Sequence, residues 1–113
     1  MHEYVKLLCE TAERYADNTA IVDHEGTRET DYKTLWEMTQ RTASWVLSKD
    51  PKPGSYIPVR FESSAEFVAA VCGVWLSGNA AVPMGASFPE ERVRYIGTNC
   101  DAPFIIDDTL WMK

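Results

Sequence analysis

The sequence predicts an α/β fold: a parallel βαβαβ sheet with flanking helices, preceded by an N-terminal helix and a small β-hairpin. Three observations carry that prediction. Helical and strand-like runs alternate from Asp31 to Asp107, the loops between them are short, and most junctions carry a cap, a glycine or a proline. Strands alternating with helices in this way form a parallel sheet with right-handed crossovers. Both faces of such a sheet need helices over them.

From Glu3 to Ala16, Tyr4, Leu7, Leu8, Ala12 and Tyr15 recur at helical spacing, and Val5 and Cys9 widen the stripe. This predicts a docked amphipathic helix. Thr19–Asp23 and Thr27–Thr30 flank His24-Glu25-Gly26, the turn of a hairpin, in which His24 is a plain turn residue. Asp31 is a good N-cap for a helix running to about Lys49, with Leu35, Met38, Thr42, Trp45 and Val46 on one face. Pro51, Pro53 and Gly54 stop it.

Tyr56–Phe61 reads as a strand in which Pro58 removes a ladder donor, placing its start at a distortion or near a sheet edge. Ser63 and Glu66 read as a capping box for a helix through Phe67, Val68, Val71, Val74, Trp75 and Leu76, whose only charge is Glu66. A helix apolar nearly all round needs cover on more than one side. Left uncovered, it and the sheet edges predict self-association. Gly78 supplies the left-handed residue after the helix, Ala80–Pro83 a short strand ending at proline, and Pro89 the first turn of a helix to Asn99. Phe104–Asp107 is the last strand.

With 113 residues, 45% of them apolar and 25% charged, the chain holds one domain at most. The formal net charge of −6, without a basic cluster, argues against a nucleic-acid partner. Cys9, Cys72 and Cys100 have no metal or redox spacing, which points to a reducing compartment. Cys72, within an apolar run, reads as core packing against the weaker alternative of a catalytic thiol. No segment has the ~20 apolar residues of a membrane span, and no basic N-terminal region precedes an apolar run, so a soluble cytoplasmic protein is expected.

One stretch orders its residues in a way that local physics does not require. Trp75-Leu76-Ser77-Gly78-Asn79-Ala80-Ala81-Val82-Pro83-Met84-Gly85-Ala86, followed by Pro89-Glu90-Glu91-Arg92, closely resembles the second core motif of the adenylate-forming enzymes. These are the acyl-CoA synthetases, peptide-synthetase adenylation domains and luciferases, where the motif reads Leu-Lys-Ala-Gly-x-Ala-Tyr-Val-Pro-Leu-Asp-Pro and then Pro-x-x-Arg. Leu76 replaces the lysine, Ala81 the aromatic and Gly85-Ala86 the Asp-Pro. The family's first motif, Thr- or Ser-Tyr-x-Glu-Leu, is similar to Asp31-Tyr32-Lys33-Thr34-Leu35. Asp31 is an equivalent cap, but Thr34 in place of glutamate loses the reciprocal capping box.

The resemblance runs from the first helix to Asp107 and implies part of the N-terminal subdomain of such an enzyme, residues 1–113. Its motif residues, Asp31, Tyr32, Leu35, Gly78, Ala80, Val82, Pro83, Pro89 and Arg92, are then architectural. The implied reaction joins a carboxylate to ATP, with Mg, and passes the acyl group to a thiol of coenzyme A or of a carrier protein. Its phosphate loop, nucleotide-binding residues and mobile-domain lysine are expected in the remainder of the parent enzyme, because the glycines here are too dispersed to form a phosphate nest. No catalytic, cofactor-binding or metal residue is therefore assigned, and the piece alone is expected to be inactive.

Other constellations read as structural. Asp107-Asp108 follows a strand, where open sheets place ligands, but adjacent strand residues point to opposite faces and make a poor carboxylate pair. In coenzyme-using relatives the segment after this strand approaches the coenzyme; no arginine follows here, and Lys113 is a weak match. His2 and His24 lack partners at metal spacing. Ser63-Ser64 lacks the glycines of a nucleophile elbow and fits a helix cap. The four tryptophans, Trp36, Trp45, Trp75 and Trp111, suit packing or an interface in so acidic a chain. The rival reading is a free-standing α/β binding module without catalysis.

Overall fold

Asp31 starts the longest helix by accepting a 2.8 Å bond from the Thr34 amide to its carboxylate. The Thr34 side chain, and after it this amide bond, hold the carboxyl below its ordinary value. In the computed structural model, which describes residues 3–23, 26–62 and 64–107, the order is α1 (Glu3–Arg14), β1 (Thr19–Val22), β2 (Glu29–Asp31), α2 (Tyr32–Ser48), β3 (Tyr56–Phe61), α3 (Ala65–Leu76), β4 (Ala80–Gly85), α4 (Glu90–Asn99) and β5 (Ile106–Asp107). The strands β4, β3 and β5 form a parallel sheet in that order, while β1 and β2 pair antiparallel as a separate hairpin. The predicted architecture is therefore present, with every junction within a few residues of its expected place.

Side chains alternate along a strand, so β3 assigns its two faces directly. Ile57, Val59 and Phe61 point into a core with Val46 of α2, Ala70 and Val74 of α3, and Ile106 of β5. Pro58 and Arg60 point to the other face, at the register of Val82, Met84 and Asp107. Arg60 meets Glu90 of α4 there, so α4 covers that face while α2 and α3 cover the first. Two right-handed crossovers leaving in opposite directions across the sheet produce this division.

Helices α2 and α3 pack closely because Thr39 and Thr42 are fully buried and Gly73 faces them without a side chain. The two hydroxyls bond back to the carbonyls of Leu35 (2.8 Å) and Met38 (3.1 Å), which satisfies them inside the contact. A smaller cluster of Leu35, Met38 and Ala69 gathers Leu8 of α1 and Ala20 and Ile21 of the hairpin.

Five local expectations change. The cap of α3 is Ser64, whose hydroxyl accepts from the Phe67 amide at 3.3 Å; Ser63, like His2, His24, Asp108, Trp111 and Lys113, lies outside the described residues. Strand β4 does not end at Pro83 but runs to Gly85, since an edge strand has one side with no ladder for proline to break. Pro89 is the N-cap of α4, one position before the first turn. Strand β5 starts at Ile106, two residues late. On α1 the inward side is Val5 and Ala12, while Tyr4, Leu7 and Tyr15 are exposed. Tyr4 instead lies beside the Trp75 ring, 6.1 Å between centroids. Pro58 falls where expected: β5 reaches β3 only from Val59 on, so at Pro58 the described ladder has β4 alone.

Candidate functional site

Strands β3, β4 and β5 all end on one side, at Phe61, Gly85 and Asp107. Helix α3 follows β3 on one face of the sheet and α4 follows β4 on the other, so the connections diverge at this carboxyl edge. In open α/β sheets this is where ligands lie. We therefore describe this carboxyl edge as the candidate site.

Its β4–α4 turn is held at several points. The Phe88 amide donates to the Gly85 carbonyl at 3.2 Å, and the Arg92 guanidinium sits 4.7 Å from the Phe88 ring centroid. From below, Arg60 of the central strand donates through Nη1 to Glu90 Oε1 at 2.7 Å and through Nη2 to the carbonyls of Ala86 (3.2 Å) and Phe88 (2.8 Å). On the β3 side, Glu66 in the first turn of α3 accepts from Arg28 of the hairpin at 2.5 Å. Partial burial pushes the Glu66 carboxyl up, but Arg28, the backbone and Ser64 outweigh it and leave the carboxyl below its ordinary value.

The opposite, amino edge is pinned by a neutral group. Buried Asn79 accepts from the Ser55 amide at 3.0 Å and donates to Ser77 Oγ at 2.9 Å. Gly78, in the left-handed region at φ 88°, accepts from the Gly54 amide at 3.2 Å, and Ala80 donates to Ser55 at 2.9 Å. A shallow hollow beside it is lined by Lys49, Asp50, Tyr56, Asp101 and Phe104.

The motif residues thus distribute over three places. Asp31, Tyr32 and Leu35 start α2, where Leu35 is 3% exposed and the Tyr32 amide donates to Asn18 at 3.1 Å. Gly78 and Ala80 sit at the amino edge. Val82 and Pro83 pair with Pro58 and Val59 along β4, and Pro89 and Arg92 stand at the carboxyl edge. The structure does not gather them into one pocket. Asp107 lies on the α4 face at the register of Arg60. Cys72 is half-buried, and burial pushes its thiol up, opposite to what a nucleophile needs. Arg60 and Asn79 were not distinguished by the sequence reasoning. An arginine in an apolar strand and an asparagine beside a glycine carry no motif, although Arg60 is the only charge between Tyr56 and Phe61.

Arg60 is committed to three acceptors, and no group of three potential metal ligands occurs among the described residues. No helix among them is long and apolar enough to cross a membrane.

The geometry defines an open parallel α/β scaffold with hydrogen-bonded turns at both ends of its sheet. The chain belongs to the AMP-binding enzyme family, whose model matches residues 8–112. It is 35% identical over 104 residues to surfactin synthase subunit 1 of Bacillus subtilis (strain 168), covering 92% of this chain and 3% of that protein. Bacitracin synthase 1 of Bacillus licheniformis is 31% identical over 103 residues, covering 91% of this chain and 2% of that protein. The structure of the nonribosomal peptide synthetase FmoA3 in its AMPPNP-bound form shares the fold, with a TM-score of 0.83 at 24% identity over 91% of this chain and 11% of that one. The chain spans only a few per cent of the length of the curated relatives it matches.

Proposed function

We propose that residues 1–113 form part of the N-terminal subdomain of an adenylate-forming ligase and serve as its scaffold. The observation that carries this reading is the family match over residues 8–112. The Trp75–Arg92 motif supports it by spanning both edges of the sheet. The complete enzyme activates a carboxylate with ATP and Mg, releasing pyrophosphate, and passes the acyl group to the thiol of coenzyme A or of a carrier-protein phosphopantetheine. The peptide synthetases among its relatives favour an amino acid and a carrier protein, and the cytoplasm is the compartment that fits. The chain's own contribution is to hold a sheet and loops in place, since charge stabilisation on a reacting phosphate depends on groups fixed in advance. Two measurements test the reading: the intact mass of the native gene product, and carboxylate-dependent ATP–pyrophosphate exchange by that product. A product much larger than 12.8 kDa that catalyses exchange supports it. A product of this mass that instead binds a specific ligand or protein would favour the free-standing module.

A further inference from the structure

Arg60 is an unusual choice for its position. Its neighbours on the α4 face are Pro58 on the same strand, fully buried, and its register partners Met84, 2% exposed, and Asp107. The Arg60 side chain is itself only 22% exposed, and removing a guanidinium from water is costly unless its donors are satisfied. Its two terminal nitrogens bond to one short segment: the carbonyls of Ala86 and Phe88 and the carboxylate of Glu90. Two nitrogens of a planar fork bind three acceptors, a geometry that an ammonium group cannot reproduce. The segment so held is the β4–α4 turn, at the carboxyl edge of the sheet.

We propose that Arg60 is a positioning residue for the adenylation reaction, acting through the Ala86–Phe88 turn; this rests on the ligase reading above. Arg60 touches no reacting atom. It holds the turn in one orientation at the carboxyl ends of the strands, where open α/β sheets place their ligands. Small displacements of such a turn are expensive, because misplacement by about 1 Å can cost about a hundredfold in rate.

The test uses the complete synthetase carrying Arg60→Lys, Arg60→Met or Glu90→Gln, with amide hydrogen exchange of residues 85–91 and pyrophosphate-exchange kinetics as readouts. Arg60→Met and Arg60→Lys should both speed amide exchange in that segment and lower exchange kcat by about ten- to a hundredfold, with KM changing much less. Glu90→Gln, which keeps both carbonyl contacts, should retain most of the activity. Rescue by lysine would overturn the proposal, as would faster amide exchange with unchanged kcat, or slower turnover with unchanged amide exchange. If Arg60→Met fails to fold, the lysine and Gln variants still decide. An unsubstituted enzyme that exchanges no pyrophosphate with any carboxylate would instead sink the ligase reading, and this role with it.

Discussion

The two faces of the sheet are closed by different physics. On the α2–α3 face, Ile57, Val59, Phe61, Val46, Val74 and Ile106 are all at most 3% exposed, and the helices approach until Gly73 lies against Thr42. On the α4 face only Val93 of the helix is buried, and the contact is completed by Arg60 and its three acceptors. The first face is dry and shape-determined. The second is polar and local. Stability should therefore reside mainly in the first, while the second mainly sets where the β4–α4 turn points.

The largest effect should come from Gly73→Ala. An added Cβ would stand 2.5 Å from Thr42 Cγ2 and 2.8 Å from the Thr39 carbonyl oxygen, so two helix backbones would have to separate. We expect about 3 kcal/mol of destabilisation by urea denaturation, the upper range for overpacking, despite the better helix propensity of alanine. A loss below about 1 kcal/mol would mean that the α2–α3 contact is looser than its geometry.

Truncations on each side sharpen the contrast. Val74→Ala on the dry face should cost about 2–3 kcal/mol, and Val93→Ala on the polar face about 1–2 kcal/mol, because a site near solvent relaxes more readily around a lost methyl pair. Equal losses would break the distinction between the faces.

Much of this arrangement was legible because each junction carries its own signal. Asp31 caps α2, Gly78 closes α3 in the left-handed region, and the apolar spacing of α2 names its buried side, Leu35, Met38, Thr42 and Val46. What escaped depends on neighbours distant in sequence. The inward side of α1 is chosen by where α2 and the hairpin lie, so Tyr4 and Leu7 were misassigned although their helical period was right. Arg60 could not be read as a clamp without knowing that β4 would bring residues 86–90 above it. Gly73 reads as a mild fault in a helix until Thr42 is seen opposite.

The smallest effect belongs to the rim of the dry face, where Arg28 ties the hairpin to the first turn of α3 through Glu66. The Glu66 carboxyl is held below its ordinary value, so the folded state binds that proton less readily than the unfolded chain does. Its contribution is thus complete above the ordinary glutamate range and disappears as pH falls through the lowered value. Arg28 is about half exposed, so screening should keep the gain below about 1 kcal/mol. Arg28→Met should flatten this part of the stability–pH curve and leave the neutral-pH melting temperature nearly unchanged. A steep acid limb that survives in Arg28→Met would place the responsible carboxylates elsewhere, with the turn-forming Asp23 and the helix cap Asp31 the next to substitute, since both are also held below their ordinary values.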